Sequence, residues 1–164
     1  MLQIMNTAYL LIGGNLQNRL AALQHACDLI QQSCGRIVKQ SSIFETAAWG
    51  VTDQPSFYNQ ALELQTPLEP ITLMQTLLNI EAQMGRKRLQ KMGPRLIDID
   101  ILLFNDLVLQ TELLTVPHPR LTERRFALTP LAQIAPNLIH PITKTTIQQL
   151  LNACTDLLDV NKIS

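Results

Sequence analysis

The chain has 164 residues, 46% of them hydrophobic and 16% charged, a composition typical of one globular domain with a sizeable core. Thirteen Lys and Arg balance thirteen Asp and Glu, so the formal net charge is zero and no basic surface for nucleic acid is predicted. The sequence has no run of about 18 apolar residues and no basic leader, which argues against a membrane span and a signal peptide. We expect a cytoplasmic single domain over residues 1–164, with its core at about residues 8–152.

The first half of the chain alternates strand and helix patterns. Apolar positions recur with a period of 3.6 residues in two segments, which predicts two amphipathic helices. Asn15 is the expected N-cap of the first helix, and glycine ends both helices. The predicted order is a strand at 9–13, a helix from Asn15 to Gly35, a strand at 36–46, a strand at 57–66 and a helix from Pro70 to Gly85.

The second half begins with a β-branched strand and ends with helical patterns. Strands at 97–104 and 107–110 are predicted to form a hairpin around Asn105 and Asp106. A short helix at 125–134 and a longer one at 145–159 follow. The order βαββαβ, with an added hairpin strand and C-terminal helices, predicts a ferredoxin-like α+β sandwich.

The strand at 97–104 carries two carboxylates on one face. Alternate strand residues point the same way, so Asp98 and Asp100 lie side by side with Cα atoms about 6.5 Å apart. Continued alternation predicts Leu102 and Phe104 on the same face as the acidic pair, and Leu103 on the other. Mg²⁺ is the usual partner of such a pair, with phosphate oxygens as further ligands. The alternative is that both aspartates are ordinary solvent-side strand residues.

A concentration of positive charge lies just before this strand. Five of the thirteen Lys and Arg residues lie within ten positions: Arg86, Lys87, Arg88, Lys91 and Arg95. Cations beside a carboxylate pair are typical of polyphosphate sites. Gly85 and Gly93 flank the segment, which favours a mobile basic lid over residues 86–92, although a solvated charged loop is the alternative.

The segment Lys91-Met92-Gly93-Pro94-Arg95, followed by Asp98 and Asp100, closely resembles the signature of the 6-hydroxymethyl-7,8-dihydropterin pyrophosphokinase family of folate biosynthesis. Further matching motifs occur in the family's order over residues 9–141: Gly13-Gly14-Asn15, Asp53-Gln54-Pro55, Glu81, and Val116-Pro117-His118. The chain departs from the family pattern at Met92, Leu113 and Ala47-Ala48, and its basic loop is one residue shorter. These departures bear on loop closure and ATP affinity.

The resemblance implies a reaction and a set of ATP contacts. Family members transfer the β,γ-diphosphate of ATP to the pterin hydroxymethyl group, with two Mg²⁺ ions held here by Asp98 and Asp100. The implied catalytic residues are Arg88, Arg95, Asp98 and Asp100. The implied ATP contacts are Glu81, Arg88, Arg95, Ile101, Thr115, His118 and Arg124.

The second substrate implied by the resemblance is a flat pterin ring. Phe57 and Asn59 share a strand face, and an aromatic ring beside an amide suits stacking plus hydrogen bonds to a ring edge. For Phe57 the alternative is a core residue. The implied pterin contacts are Thr46, Ala48, Trp49, Phe57, Asn59, Asp98 and Phe126.

Two other classes of protein remain as alternatives. A non-catalytic ligand-binding module is one, since ferredoxin-like sandwiches often serve as regulatory domains, but it would not need an acidic pair facing a basic lid. A Mg²⁺-dependent transferase that uses nucleotide sugars is the other, although this chain is short for it. We expect a monomer that binds ATP and the pterin, and neither nucleic acid nor a membrane.

Overall fold

An antiparallel sheet with helices on both faces forms the frame of the chain. The computed structural model describes residues 4–47, 53–85 and 96–163. The elements in chain order are β1 (Asn6–Gly14), α1 (Arg19–Ser33), β2 (Arg36–Gln40), β3 (Phe44–Thr46), β4 (Phe57–Thr66), α2 (Pro70–Gln83), β5 (Asp98–Phe104), β6 (Leu109–Gln110), β7 (Thr115–Val116), a 3₁₀-helix (Leu121–Glu123), α3 (Arg125–Ile134), α4 (Ile147–Ala153) and β8 (Val160–Lys162). The main sheet has the strand order β5-β1-β4-β3-β8, and β2 pairs with the far end of β4. All these pairings are antiparallel.

Each face of the sheet has its own hydrophobic core. Leu10 and Ile12 of β1 belong to the core that α1 and α2 cover. Tyr9 and Leu11 belong to the core that α3 and α4 cover. This alternation along β1 follows from the period of two in a strand, and a strand buried on both faces accounts for the continuous apolar run.

A β-bulge in β5 changes which face its last residues occupy. The register with β1 moves from Tyr9 opposite Leu103 to Leu10 opposite Ile101, which leaves Leu102 as the extra residue. Leu102 and Leu103 therefore both pack on the α3 side, and Phe104 packs on the α1 side. The predicted faces of the last two residues were wrong for this reason. The bulge lies after the acidic pair and leaves its shared face unchanged.

The predicted strand at 36–46 is two strands, separated at Ser41. The Ser41 hydroxyl accepts the N–H of Ala61 at 2.9 Å, and the Ser41 N–H donates to the Ala61 carbonyl at 2.9 Å. A side-chain oxygen thus takes the place of a ladder carbonyl, which interrupts the regular pairing. The predicted strand at 57–66 is confirmed as β4.

Helix α1 begins three residues later than predicted, and Asn18 caps it in place of Asn15. The Asn18 side chain accepts the N–H of Ala21 at 3.1 Å. Asn15 is buried and has another role, described with the site below. Helix α2 begins at the predicted Pro70, in the first turn where proline is tolerated.

The predicted hairpin between 97–104 and 107–110 is absent from the described structure. The turn at Asn105 does form, since the Asn105 side chain accepts the N–H of Thr7 at 2.8 Å and its own N–H donates to the Thr7 carbonyl at 2.8 Å. These two bonds hold the end of β5 next to β1. The chain then leaves the sheet, and β6 pairs with β7 in a separate two-stranded ribbon.

The C-terminal helix is shorter than its apolar pattern predicted. Arg125 holds the chain that follows α4, because its guanidinium donates to the carbonyls of Cys154 at 2.8 Å and Asp156 at 3.0 Å. The helix ends there, Leu157 is 94% exposed, and β8 then pairs with β3. Helix α3 spans the predicted residues.

Two features of the described residues concern membrane-spanning helices and the cysteines. None of their helices is both long and apolar enough to cross a membrane. The three cysteines, Cys27, Cys34 and Cys154, form no disulfide with one another. Burial raises the pKa of both the Cys27 and the Cys34 thiol to about 11, so both thiols stay protonated at neutral pH.

Candidate active site

A pocket opens at one end of the sheet, on the face that α3 covers. About 550 Å³ of space free of protein atoms, part of it open to solvent, lies between its lining residues. The end of β1, the end of β3, the starts of β4 and β5 and the start of α3 meet there. The lining residues are Leu11, Gly13, Thr46, Ala47, Phe57, Asn59, Asp98, Asp100, Arg124 and Phe126. Seven of them were predicted as site residues from the sequence.

The acidic pair occupies the start of β5, an edge strand of the main sheet. Asp98 and Asp100 are half-buried and both line the pocket. Between them, the N–H of Ile99 donates to the carboxylate of Glu81 at 2.7 Å. Glu81 is only 4% exposed at the end of α2, so a buried carboxylate fixes the backbone that carries the pair. The predicted contact of Glu81 with the nucleotide stays a prediction.

The donor atoms of this pair fit a hard divalent cation. Two carboxylates supply oxygen ligands, and Mg²⁺ bound by one or two carboxylates completes its shell with water and phosphate oxygens. Among the described residues, no group of three or more His, Cys, Asp or Glu side chains could hold a metal alone. The pair therefore suits a metal that arrives with a phosphate ligand better than a closed structural site.

Arg124 provides positive charge opposite the acidic pair. It is the N-cap residue of α3, and its guanidinium carbon lies 5.6 Å from the ring centroid of Phe126. Burial and the nearby Arg120 lower the pKa of Arg124, whereas Asp100 and Asp98 act in the opposite direction. Its Nε is buried and has no hydrogen-bond partner within the described parts of the chain. A ligand oxygen at this position would satisfy that donor.

Aromatic and amide side chains form the other wall of the pocket. Phe57 and Asn59 lie on one face of β4, as the strand period predicts. Thr46 pairs directly with Phe57, and its hydroxyl oxygen lies 3.5 Å from Nδ2 of Asn59. Phe126 reaches the same pocket from α3. This wall offers apolar ring surface and amide hydrogen-bonding groups to one ligand.

Besides Glu81, three predicted ATP contacts lie outside the pocket lining, along or beside β5. The side chain of Ile101 is 2% exposed in the core, so only its backbone could meet a ligand. Thr115 is half-buried in β7. The N–H of His118 donates to the carbonyl of Leu102 at 2.9 Å, which joins the histidine to the bulge of β5.

The ring of His118 is neutral at physiological pH. Burial, together with the charges of Arg124 and Arg120, lowers the pKa of His118 to about 4, although Asp98 opposes the shift. Its Nδ1 accepts the N–H of Arg120 at 3.2 Å, so the neutral ring carries its proton on Nε2. His118 can therefore donate one hydrogen bond without adding a charge.

This shift predicts a pH dependence of stability. Between the ordinary histidine pKa of 6.5 and about 4, unfolded His118 takes up a proton that the folded protein excludes. The free energy of unfolding should therefore decrease as pH falls through this window, and should decrease less in His118→Gln. Chemical denaturation of both proteins from pH 7 to pH 4 measures the difference. His140, whose pKa burial also lowers, contributes equally to both curves. Parallel curves would contradict the prediction.

Ala48, Trp49, Arg88 and Arg95 lie outside the described residues, as does the proposed basic lid at 86–92. Their predicted roles stay predictions.

Leu11, Gly13 and Ala47 line the pocket but were not among the predicted site residues. Gly13 belongs to a motif that the resemblance had already drawn attention to, so a signal for it existed. Leu11 and Ala47 carry no polar group that could have marked them.

Asn15 shows a second role that the sequence did not reveal. Its Nδ2 donates to Oε1 of Gln54 and to the carbonyl of Pro55, both at 2.8 Å. Asn15 thereby ties the β1–α1 connection to the segment that leads into β4, two residues before Phe57. Both segments, Gly13-Gly14-Asn15 and Asp53-Gln54-Pro55, were marked as motifs in the sequence. Their contact with each other is visible only in the folded chain.

Comparison with known proteins identifies the family. Residues 9–136 match the family model of 7,8-dihydro-6-hydroxymethylpterin-pyrophosphokinase (HPPK). The chain belongs to the HPPK family. This confirms the resemblance found in the sequence and favours an enzyme over a binding module or a nucleotide-sugar transferase.

Relatives of known name cover most of the chain. A 2-amino-4-hydroxy-6-hydroxymethyldihydropteridine pyrophosphokinase of Aquifex aeolicus is 41% identical over 145 residues, which are 88% of this chain and 90% of that protein. The protein of the same name from Bacillus subtilis is also 41% identical, over 88% of this chain and 87% of that protein. The folic acid synthesis protein fol1 of Schizosaccharomyces pombe is 38% identical, but this chain spans only 20% of its length.

Solved HPPK structures share the fold. A Plasmodium falciparum HPPK-DHPS chain superposes with a TM-score of 0.77 at 19% sequence identity. The match covers 92% of this chain and 46% of that longer chain. At this identity the superposition shows the common HPPK architecture of a mixed α/β domain and nothing about residue roles.

Proposed function

We propose that this chain transfers the β,γ-diphosphate of ATP to the hydroxymethyl group of 6-hydroxymethyl-7,8-dihydropterin, giving AMP and the pterin diphosphate. As a member of the HPPK family, the chain is an ATP-dependent diphosphotransferase of folate biosynthesis. One observation carries the assignment of roles: a single pocket joins the acidic pair of β5 to the aromatic and amide wall of β4.

The wall of β4 and α3 is the proposed pterin site. Phe57 and Phe126 provide stacking surface for a flat ring, and the Asn59 amide provides both a donor and an acceptor for its edge. Thr46 adds a buried hydroxyl beside that amide. Ala48 and Trp49 complete the proposed set. Asp98, a member of the acidic pair, lines the same pocket and is the proposed pterin contact on β5.

The acidic pair and the cations around it are the proposed triphosphate site. Asp98 and Asp100 would hold two Mg²⁺ ions, which when bound neutralise charge on the phosphate oxygens. Arg124 offers the buried Nε donor that lacks a partner among the described residues, and His118 offers Nε2–H. Arg88, Arg95, Glu81, Ile101 and Thr115 complete the proposed set of ATP contacts.

The proposed chemistry joins the pterin oxygen to the β-phosphorus of ATP. The bond between that phosphorus and the oxygen bridging it to the α-phosphorus breaks, AMP departs with the bond electrons, and the hydroxyl proton passes to solvent. We assign no strong general base to the pocket. The residues act by holding the two substrates in line and by offsetting charge as AMP departs.

The proposal extends to the fold class, the oligomeric state and the compartment of the protein. The sheet order β5-β1-β4-β2, with α1 and α2 on one face, supports a ferredoxin-like core within one domain over residues 1–164. We propose that the enzyme acts as a cytoplasmic monomer. Unpaired cysteines fit a reducing compartment.

The decisive experiment for this function identifies the products. The purified chain should be incubated with ATP, MgCl₂ and 6-hydroxymethyl-7,8-dihydropterin, and the nucleotides and pterins separated by chromatography. Equal amounts of AMP and a pterin diphosphate are expected, and omission of the pterin should abolish AMP formation. ADP together with a pterin monophosphate would contradict the proposal, because the acceptor would then have attacked the γ-phosphorus.

A further inference from the structure

We propose that Gly13 is a positioning residue that sets the orientation of the Asn59 amide, and so the selectivity of the pocket for its ring substrate. Gly13 lines the pocket near the end of β1 and pairs directly with Asn59 of β4 across the sheet. The inference deepens the proposed function and rests on it only for the identity of the ring.

The Asn59 side chain occupies the space that a side chain on Gly13 would need. A Cβ atom built on Gly13 would lie 2.1 Å from Oδ1 and 3.1 Å from Cγ of Asn59. It would also lie 3.0 Å from the carbonyl oxygen of Tyr58. Atoms at 2.1 Å overlap, so any residue other than glycine forces the amide to move. The amide therefore lies against β1 because position 13 has no side chain.

Backbone conformation does not explain a glycine at this position. The described glycines with positive φ are Gly35 and Gly85, and Gly13 is not one of them. Its strand conformation is open to all residues, and glycine within a strand is less favourable than alanine. The requirement at position 13 is thus space for the neighbouring amide.

The expected response to a methyl group at position 13 is local. Among the described residues, the amide has one side-chain hydrogen-bond contact, at 3.5 Å with the Thr46 hydroxyl, and a side-chain end rotates more easily than a backbone shifts. Asn59 is 5% exposed, so the displaced amide would leave its buried position and lose its alignment with the pocket. The triphosphate half of the pocket, built on β5 and α3, would stay in place.

The test is a double-mutant cycle of Gly13→Ala, Asn59→Ala and the double variant. Calorimetric titration measures the affinity of each for 6-hydroxymethyl-7,8-dihydropterin in the presence of MgCl₂ and a non-hydrolysable ATP analogue. Gly13→Ala should weaken pterin binding by at least about tenfold and leave binding of the ATP analogue unchanged. The double variant should bind the pterin no more weakly than Asn59→Ala alone, because both changes remove one interaction.

Gly35→Ala is the matched control. A Cβ on Gly35 would also meet an atom at 2.1 Å, but that atom is the backbone carbonyl oxygen of Gln65, at the other end of the sheet. This variant should lose stability without a selective loss of pterin affinity. Gly35 also has a positive φ, so the comparison separates a general loss of stability from the displacement of one amide.

Each result decides the inference. Unchanged pterin affinity in Gly13→Ala, or additive losses in the cycle, would overturn it. If Gly13→Ala does not fold, a folded double variant that binds like Asn59→Ala supports the inference, and an unfolded one overturns it. If the wild type binds no pterin, the proposed function fails on its own. The Asn59 side-chain NMR signals of the ligand-free protein then test the inference: a change in Gly13→Ala supports it, and identical signals overturn it.

Discussion

Replacing Asp98 or Asp100 by alanine should lower kcat by at least about 1,000-fold, the scale of losing a group that stabilises developing charge. The repulsion between the two carboxylates offsets part of the attraction of each to Arg124, so removing one should change the free energy of unfolding only modestly. Glu81 continues to hold the backbone of Ile99 in either variant. A large loss of turnover with a preserved fold is therefore expected.

The measurement is steady-state formation of AMP at several Mg²⁺ concentrations, together with a denaturation curve for each variant. Asp106→Asn is the matched control, since Asp106 is exposed in the turn directly after the same strand. It should retain full activity. Near-wild-type turnover of Asp98→Ala or Asp100→Ala at ordinary Mg²⁺ would contradict the metal assignment.

The acidic pair shows how much of the site was predictable from the sequence. Its shared face depends only on the period of two within one strand, and the structure has both carboxylates lining one pocket. The faces of Leu103 and Phe104 depended on the same period and were wrong. The difference is the bulge at Leu102, which arises from pairing with β1, and no residue within β5 marks it.

Contacts between distant segments account for the remaining errors. The end of α4 is set by Arg125, and the interruption between β2 and β3 is set by a bond between Ser41 and Ala61. Local patterns describe neither, because each partner lies at least about twenty residues away in the chain. Gly13 belongs with them in one respect: a sequence motif marks it, but its place opposite Asn59 comes only from the register of β1 with β4.

Phe57→Ala and Phe126→Ala should each weaken binding of the dihydropterin by about 1–3 kcal/mol, with little change in affinity for ATP. Both rings are half-buried and line the pocket, so each has surface that a ligand can cover. They belong to different elements, β4 and α3, and approach from different sides. A flat ring between them would lose one stacking surface in each variant and keep the other.

Tyr58→Ala is the control that separates stacking from packing. Tyr58 is adjacent to Phe57 on β4 but faces the α1 side, where the guanidinium carbon of Arg19 lies 3.8 Å from its ring centroid. Removing that ring should lower the free energy of unfolding and spare selective pterin binding. Titration of each variant with pterin and, separately, with an ATP analogue gives the two affinities. If Phe57→Ala or Phe126→Ala weakens both ligands equally and destabilises the protein as Tyr58→Ala does, that ring belongs to the core and the stacking assignment fails.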